Sequence, residues 1–286
     1  MKDAVFWSVP ETGDILCRLC PHSCGIAEEE TGFCGVRRNL GGKLIAESYG
    51  KVTSIALDPI EKKPLYHFHP GSKILSLGSY GCNFRCGFCQ NHRISMETAP
   101  ADFYSPEKVA EISMELEPKG NIGVAYTYNE PLIGYEFVRD CAKLIAGQGQ
   151  KNVLVTNGFI RPRPLEALLA HIHAMNIDLK SFSPGFYREI GGRLSDVLDI
   201  IALAAGQCHI EVTTLIIPGK NDSPEEINSI ARWISEINKD IPLHISRFSP
   251  AYKLRDIPPA PAEAIFRLAE VARKHLSYVY PSRTFT

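Results

Sequence analysis

The strongest constraint on the fold is the alternation of strand-like and helix-like segments from residue 73 onward. Six apolar segments have the length and composition of buried strands, at 73–79, 122–128, 152–157, 175–180, 209–217 and 242–248. Two of the helix-like segments between them begin with Ser-Pro-Glu, at Ser105 and Ser223, which is a helix start signal. This alternation predicts an α/β fold with a parallel sheet and right-handed crossovers. Six units are too few for a closed eight-stranded barrel, so a partial barrel or a doubly wound sheet fits.

The first 70 residues have a different pattern. Prolines, charges and histidines in "LDPIEKKPLYHFHPGS" (57–72) interrupt the periodicity and predict a domain boundary, with one unit at 1–70 and another at 71–286. In the first unit, the strand-like runs 43–48 and 51–57 flank Tyr49-Gly50, and we expect them to form a β-hairpin. A unit this short buries little core of its own, and a metal bound by its cysteines would compensate.

Charge and hydropathy exclude several classes of partner. The formal net charge is −1, which offers no electrostatic basis for binding nucleic acid or an anionic membrane. The start "MKDAVFWSVPETGD" has no continuous apolar core, as a signal peptide would, and no apolar run approaches the roughly 20 residues of a membrane span. We therefore expect a cytoplasmic protein without a nucleic-acid or membrane partner.

The nine cysteines are the unusual part of the composition. In a reducing compartment, clustered thiols indicate metal binding or catalysis more often than disulfides. Cys141 lies on the apolar face of a helical pattern, and Cys208 alternates with apolar residues in a strand pattern, so we expect both in the core. The other seven fall into a group of four before residue 35 and a group of three after residue 81.

The group of three follows the first predicted strand, in the glycine-containing loop "GSYGCNFRCGFCQNHR" (78–93), where Cys82, Cys86 and Cys89 are spaced C-x3-C-x2-C. A [4Fe–4S] cluster needs one ligand per iron, so three thiolates leave one iron open. A molecule with an adjacent amine and carboxylate could chelate that iron, and S-adenosylmethionine (SAM) carries such a group. One electron passed to its sulfonium would break a carbon–sulfur bond and release a 5′-deoxyadenosyl radical, which abstracts hydrogen from unactivated C–H groups.

The other predicted strands also end in polar residues. Because the carboxyl ends of parallel strands meet at one edge, these residues indicate a single site. Simpler roles remain open for each of them: Glu130 could cap a helix beginning at Pro131, and His244 could be an ordinary core histidine. The strand-end residues that we assign to the site are Glu130, Thr156, Asn157, Asp178 and His244.

The cysteine loop, with Phe88 before its last cysteine, resembles the signature of the radical SAM enzymes. Downstream motifs are similar to the pyruvate formate-lyase activating enzyme branch. "CRLCPHSCGI", "LDPIEKKPLYHFHPGS", "YTYNEP", "VTNG", "NIDLK" and "LIIPGKND" most closely resemble the AmmeMemoRadiSam-system radical enzymes, from about Cys17 to Tyr280. The resemblance implies a partial (β/α)6 TIM-like barrel with a small Cys-rich N-terminal segment and a [4Fe–4S] cluster at the open mouth.

The resemblance also implies roles for individual residues. Cys82, Cys86 and Cys89 would ligate three irons, and Glu130 would contact the methionyl amine. Thr156 and Asn157 would lie near the cofactor, Asp178 corresponds to a cation ligand, and His244 would lie near the ribose. The chain departs from the family in two places: Tyr128-Asn129 replaces a Gly-Gly pair before Glu130, and Val155 replaces an Asp that helps to hold a cation.

The group of four has the spacing C-x2-C-x3-C-x9-C, at Cys17, Cys20, Cys24 and Cys34. Four thiolates would complete the coordination of either zinc or a second [4Fe–4S] cluster. The triplet with a distant fourth cysteine and the pair Cys20-Pro21 favour iron–sulfur slightly.

Three functional hypotheses follow. The first is an enzyme that cleaves SAM reductively and abstracts hydrogen from an unidentified small-molecule or protein substrate, with flavodoxin or ferredoxin as electron donor. A narrower version is an activating enzyme that makes a glycyl radical on a protein partner. The third is a non-catalytic iron–sulfur electron carrier or redox sensor, which would have no need of the cofactor-binding residues at the strand ends.

Overall fold

The computed structural model describes residues 2–11 and 13–285. The described residues contain fifteen strands: β1 (Trp7–Ser8), β2 (Ile15–Cys17), β3 (Gly25–Ile26), β4 (Arg37–Leu40), β5 (Lys43–Ala46), β6 (Lys51–Val52), β7 (Ser54–Pro59), β8 (Lys73–Gly78), β9 (Asp102–Phe103), β10 (Asn121–Tyr126), β11 (Lys151–Thr156), β12 (Ala174–Asp178), β13 (His209–Ile216), β14 (Leu243–Arg247) and β15 (Val279–Phe285). The helices are α1 (His92–Ser95), α2 (Pro106–Glu115), α3 (Tyr135–Gly147), α4 (Pro162–Leu169), α5 (Pro184–Glu189), α6 (Leu194–Ala205), α7 (Pro224–Asn238) and α8 (Ala262–Ala272). Short 3-10 turns occupy Ile60–Lys62, Glu117–Lys119 and Pro131–Gly134.

An eight-stranded sheet, in the order β15-β14-β13-β12-β11-β10-β8-β7, dominates the described part of the chain. Strands β8 and β10 to β15 pair in parallel, and β7 pairs antiparallel with β8 at one edge. All six predicted strands are confirmed, and β15 adds a seventh parallel strand that we had not predicted. The parallel strands follow one another in chain order without the reversal that a doubly wound sheet would show, which distinguishes the two architectures left open by the sequence. The fold is a partial barrel.

The predicted helix starts are also confirmed. The side chain of Ser105 accepts a hydrogen bond from the amide of Lys108, and that of Ser223 accepts one from the amide of Glu226. Cys141 is fully buried on α3, as predicted, whereas Cys208 is half-buried and lies one residue before β13. Within the part of the chain that the structure describes, none of the helices combines the length and hydropathy that a membrane crossing requires.

The predicted pairing of 43–48 with 51–57 is wrong. Strand β5 pairs instead with β4 through Gly41-Gly42, whose φ angles of +60° and +71° suit a tight hairpin turn. Strand β6 pairs with β9, and β7 forms the edge of the barrel sheet. Gly50 permits this arrangement, because a Cβ there would lie 2.5 Å from Cε2 of Phe103.

The N-terminal unit packs closely against the barrel. Its residues Ile15, Leu19 and Leu44 belong to the same apolar core as Val124 and Leu154 of the sheet. Strand β7 lies before the predicted boundary at residue 70 and yet belongs to the barrel sheet. The division of the chain into two units stays a prediction. The strands of the barrel sheet begin at Ser54, before the predicted boundary.

Candidate functional site

A cavity of about 460 Å³ lies at the carboxyl ends of the parallel strands. Its volume falls in the range of about 300–1,000 Å³ that is typical of ligand pockets in proteins. The cavity wall contains all three cysteines of the loop and four of the five strand-end residues predicted from the sequence: Cys82, Cys86, Cys89, Glu130, Thr156, Asn157 and Asp178. The structure thus brings together residues that are spread over almost one hundred positions of the sequence.

The cysteine loop leaves β8 and turns sharply at Gly81, whose φ is +84°. A Cβ at this position would lie 2.6 Å from a methyl group of Val36 and 2.7 Å from the carbonyl oxygen of Cys34, so only glycine lets the loop pass this close to the N-terminal unit. Burial raises the pKa of the Cys86 thiol to about 12, although Lys180 opposes the shift. A bound metal would therefore have to displace protons from these thiols.

Glu130 is buried, and three neighbouring groups hold its carboxylate in place. Its carboxylate accepts hydrogen bonds from the Leu132 amide (3.0 Å), the Thr156 hydroxyl (2.7 Å) and the Asn157 amide (2.8 Å). Burial raises its pKa to about 7 against the opposing effect of these hydrogen bonds. The capping role considered from the sequence is confirmed for the 3-10 turn Pro131–Gly134, and the same side chain also lines the cavity.

Asp178 and Lys180 form a pair at the end of β12, with 2.8 Å between Oδ2 and Nζ. Burial disfavours the charged form of Lys180, but Asp178 and Cys86 outweigh it and raise the pKa of Lys180 above its usual range. Both residues line the cavity, and the Lys180 ammonium lies 5.9 Å from the centre of the Phe88 ring. Our sequence-based assignment omitted Lys180, although its position at a strand end could have identified it.

His244 is not among the described residues that line the cavity; Ser246, two positions further along β14, is. The Nε2 atom of His244 lies 2.6 Å from Oε2 of the buried Glu211, and its ring stacks on Tyr280. Burial works against ionisation of Glu211, but hydrogen bonds from His209, His244 and two backbone amides lower its pKa to about 2. The structure therefore places His244 in a layer beneath the cavity, and its predicted ribose contact has no support from this position.

The sequence analysis missed a polar cluster of Asp58, Lys63 and Tyr128, in which Lys63 and Tyr128 line the cavity. Asp58 Oδ2 lies 2.9 Å from Lys63 Nζ and accepts a 2.9 Å hydrogen bond from the hydroxyl of Tyr128. Tyr128, which replaces the first glycine of the family pattern, has a φ of +71°. Its ring packs on Gly78, where a Cβ would lie 2.7 Å from Cδ2 of Tyr128. Only the departure at Tyr128 hinted at this cluster in the sequence.

The four N-terminal cysteines also lie near one another. The Cys17 amide donates to the Cys24 carbonyl (2.9 Å), and the Phe33 amide contacts the Cys24 sulfur at 3.4 Å. Burial raises the pKa of Cys20 to about 12 and that of Cys34 to about 11, and other thiols of the group add to both shifts.

Neither group of thiols converges on one point. In residues 2–11 and 13–285, no group of three or more His, Cys, Asp or Glu side chains is arranged to hold a metal ion. The thiolates of an iron–sulfur cube each bind a different iron, so cluster ligands need no such convergence. The three thiols on one cavity wall fit a [4Fe–4S] cluster, which Cys82, Cys86 and Cys89 would hold.

The fold and the cavity define the class of protein: an α/β partial barrel whose parallel strands end at a cavity lined by thiols and polar groups. The chain belongs to the Radical SAM superfamily, whose family model matches residues 77–234. This result confirms the family predicted from the cysteine loop.

Two relatives and one solved structure extend the comparison. The uncharacterized protein MJ0808 of Methanocaldococcus jannaschii is 40% identical over 287 residues, covering 98% of this chain and 84% of that protein. A putative glycyl-radical enzyme activating enzyme of the same organism, MJ1632, is 24% identical over 218 residues, which cover 74% of this chain and 81% of MJ1632. The crystal structure of Streptococcus suis SuiB bound to S-adenosylmethionine is 16% identical, with a TM-score of 0.56, covering 72% of this chain and 48% of that chain. This last likeness supports the fold.

Proposed function

We propose that the protein is an enzyme that cleaves SAM reductively and uses the 5′-deoxyadenosyl radical to abstract hydrogen from a substrate. The observation that carries this proposal is that Cys82, Cys86 and Cys89 line the same cavity as the polar residues of several strand ends. The three thiolates would hold a [4Fe–4S] cluster and leave one iron accessible from the cavity. When bound, the cluster supplies one electron to the sulfonium group of SAM.

The residues around the cavity would bind and orient SAM. Thr156 and the Asn157 amide hold the carboxylate of Glu130 in one position, where it can accept a hydrogen bond from the methionyl amine. The resemblance to the family assigned Asp178 as a cation ligand. In this structure the ammonium group of Lys180 pairs with the Asp178 carboxylate and takes the place of such a cation. On β14, Ser246 rather than His244 is the side chain in position to contact a ligand.

The N-terminal thiols would hold a second metal. We propose that Cys17, Cys20, Cys24 and Cys34 bind a second [4Fe–4S] cluster, with zinc as the alternative. The cysteine spacing favours the cluster, and zinc would require the four sulfurs to move onto one point, because they do not converge in the described residues. The backbone bond between Cys17 and Cys24, and the contact of the Phe33 amide, next to Cys34, with the Cys24 sulfur support a shared site. Such a metal would also stabilise the N-terminal unit, because its strands β1 to β6 are only two to four residues long.

The substrate is a small molecule or a protein. Activation of a protein partner through a glycyl radical is the second candidate, favoured by the similarity to the relative named as a putative glycyl-radical activating enzyme. In either case, a flavodoxin or ferredoxin in the cytoplasm would supply the electron. A non-catalytic electron carrier is less well supported, because a carrier needs no polar strand-end groups around its cluster.

The deciding experiment is product analysis. The protein would be reconstituted anaerobically with iron and sulfide, reduced with dithionite and incubated with SAM. Chromatography should then show 5′-deoxyadenosine and methionine in the wild-type sample and neither product above background in Cys86→Ser. An intact cluster without either product would contradict the enzymatic function and favour the electron carrier.

A further inference from the structure

Two side chains connect the N-terminal thiol segment to the cysteine loop of the cavity. His22 lies between Cys20 and Cys24, and its Nε2 is 2.8 Å from the carbonyl oxygen of Asn83. Because a carbonyl only accepts hydrogen bonds, this nitrogen carries the proton. Arg85 provides the other connection, since its guanidinium donates to the carbonyl oxygens of both Cys82 and Phe33.

Asn83, whose backbone carbonyl bonds to His22, also connects to the cavity thiols through its side chain. Nδ2 of Asn157 donates to Oδ1 of Asn83 at 2.9 Å and also contacts Sγ of Cys82 at 3.8 Å. The backbone of Phe159 holds both amides, because its carbonyl accepts from Asn83 at 2.6 Å and its amide donates to Asn157 at 2.8 Å. Both asparagines are buried, so water does not compete readily for these bonds.

We propose that His22, Asn83 and Asn157 form a relay through which the N-terminal thiol segment positions Cys82 and sets the reduction potential of the cavity cluster. Hydrogen bonds to cluster sulfurs are one of the factors that set such potentials. They favour the reduced form, because reduction increases the negative charge on the sulfurs. Loss of the relay therefore lowers the potential. The inference rests on the proposed function only in requiring a cluster at Cys82.

His22→Phe tests the relay without removing any cysteine. The phenyl ring preserves the packing of His22 against Phe33 and Phe159, whose ring centroids are 4.2 and 5.2 Å away, and removes only the donor to Asn83. The readouts are the iron content and the midpoint potential of the cavity cluster, followed by electron paramagnetic resonance in the full reconstituted chain. We expect a lower potential, by about 59 mV if the equilibrium constant for one-electron reduction falls tenfold.

Two further variants complete the test. His22→Gln keeps a side-chain donor and should restore most of the potential. His275→Phe removes a histidine whose partner is Asn228, away from both groups of thiols, and should leave the potential unchanged. A wild-type potential in His22→Phe with full iron content would overturn the relay, as would equal shifts in His22→Phe and His275→Phe. Failure of the wild type to cleave SAM would instead contradict the proposed function and leave the measured potentials interpretable.

Discussion

The hydroxyl of Thr156 donates a 2.7 Å hydrogen bond to Oε1 of Glu130, and this bond joins the end of β11 to the segment that follows β10. With the Asn157 amide on the other carboxylate oxygen, it fixes Glu130 at the cavity wall. Because the Glu130 side chain is already held in one position, a ligand that binds to it pays a smaller entropy cost.

Glu130→Gln should weaken the response of the reduced cluster to SAM. The amide keeps one accepting oxygen, but its NH2 group would face a donor such as the Asn157 amide, and it lacks the charge that would attract the methionyl amine. We expect about tenfold weaker binding, because hydrogen bonds to charged groups contribute about 1.5–3 kcal/mol. The measurement is the concentration of SAM needed to change the resonance spectrum of the cluster. Glu115→Gln on the exposed side of α2 is the matched control and should match wild type. Equal SAM affinity in Glu130→Gln would remove Glu130 from the binding site.

The raised pKa of Glu130 predicts a specific pH dependence of stability. Between its ordinary value of 4.5 and its value of about 7 in the fold, the folded state binds the proton more tightly than the unfolded state. The free energy of unfolding contributed by this group therefore falls as pH rises through that window, by up to about 1.4 kcal/mol per pH unit. Glu130→Gln should lack this contribution.

Denaturant unfolding of both proteins at several pH values from 5 to 8 would measure the difference. The stability of the variant relative to wild type should rise with pH up to about 7 and then level off. Parallel pH profiles would show that burial does not shift the titration of Glu130 as the structure indicates.

Of the two proposed metal sites, Cys86→Ser should empty the one at the cavity and leave the one at the N-terminal cysteines filled. Cys86 belongs to the cavity wall, whereas none of the four N-terminal cysteines is among the described residues that line this cavity. Iron, zinc and sulfide analysis with absorption spectroscopy should show one site lost and the other retained. The reciprocal variant Cys20→Ser should retain cavity iron. Loss of both metals in Cys86→Ser would mean that the seven thiols are divided differently.

Glu136→Ala should strongly destabilise the contact between the N-terminal unit and the barrel. Both oxygens of Glu136 lie 3.0 Å from Nη1 of Arg37, and both side chains are almost completely buried. Removing one partner leaves a buried unpaired charge, at a cost of about 3–5 kcal/mol. Thermal or denaturant unfolding would measure this loss. Glu111→Ala, which breaks the exposed pair with Lys108, should cost less than about 1 kcal/mol. Comparable losses in the two variants would contradict the structural role of the buried pair.

Local sequence signals predicted the framework well. The six strand segments and the caps at Ser105 and Ser223 depend on side-chain periodicity and on bonds within one helical turn, so neighbouring residues suffice to specify them. The cysteine spacing and the polar strand ends predicted the cavity wall for a related reason. Once the sheet is parallel, its topology brings the strand ends to one edge.

Tertiary structure decided what depends on distant partners. Residues 43–57 were compatible with a hairpin. The strands in this segment pair instead with β4, β9 and β8, and these contacts across the chain are encoded by no local pattern. Likewise, Lys63 and Tyr128 reach the cavity wall and meet Asp58 only once the barrel has formed. His244 and Ser246 lie two residues apart on β14 and so share one face of the strand, but only Ser246 reaches the cavity wall. Only the assembled barrel determines which of these two layers meets the ligand.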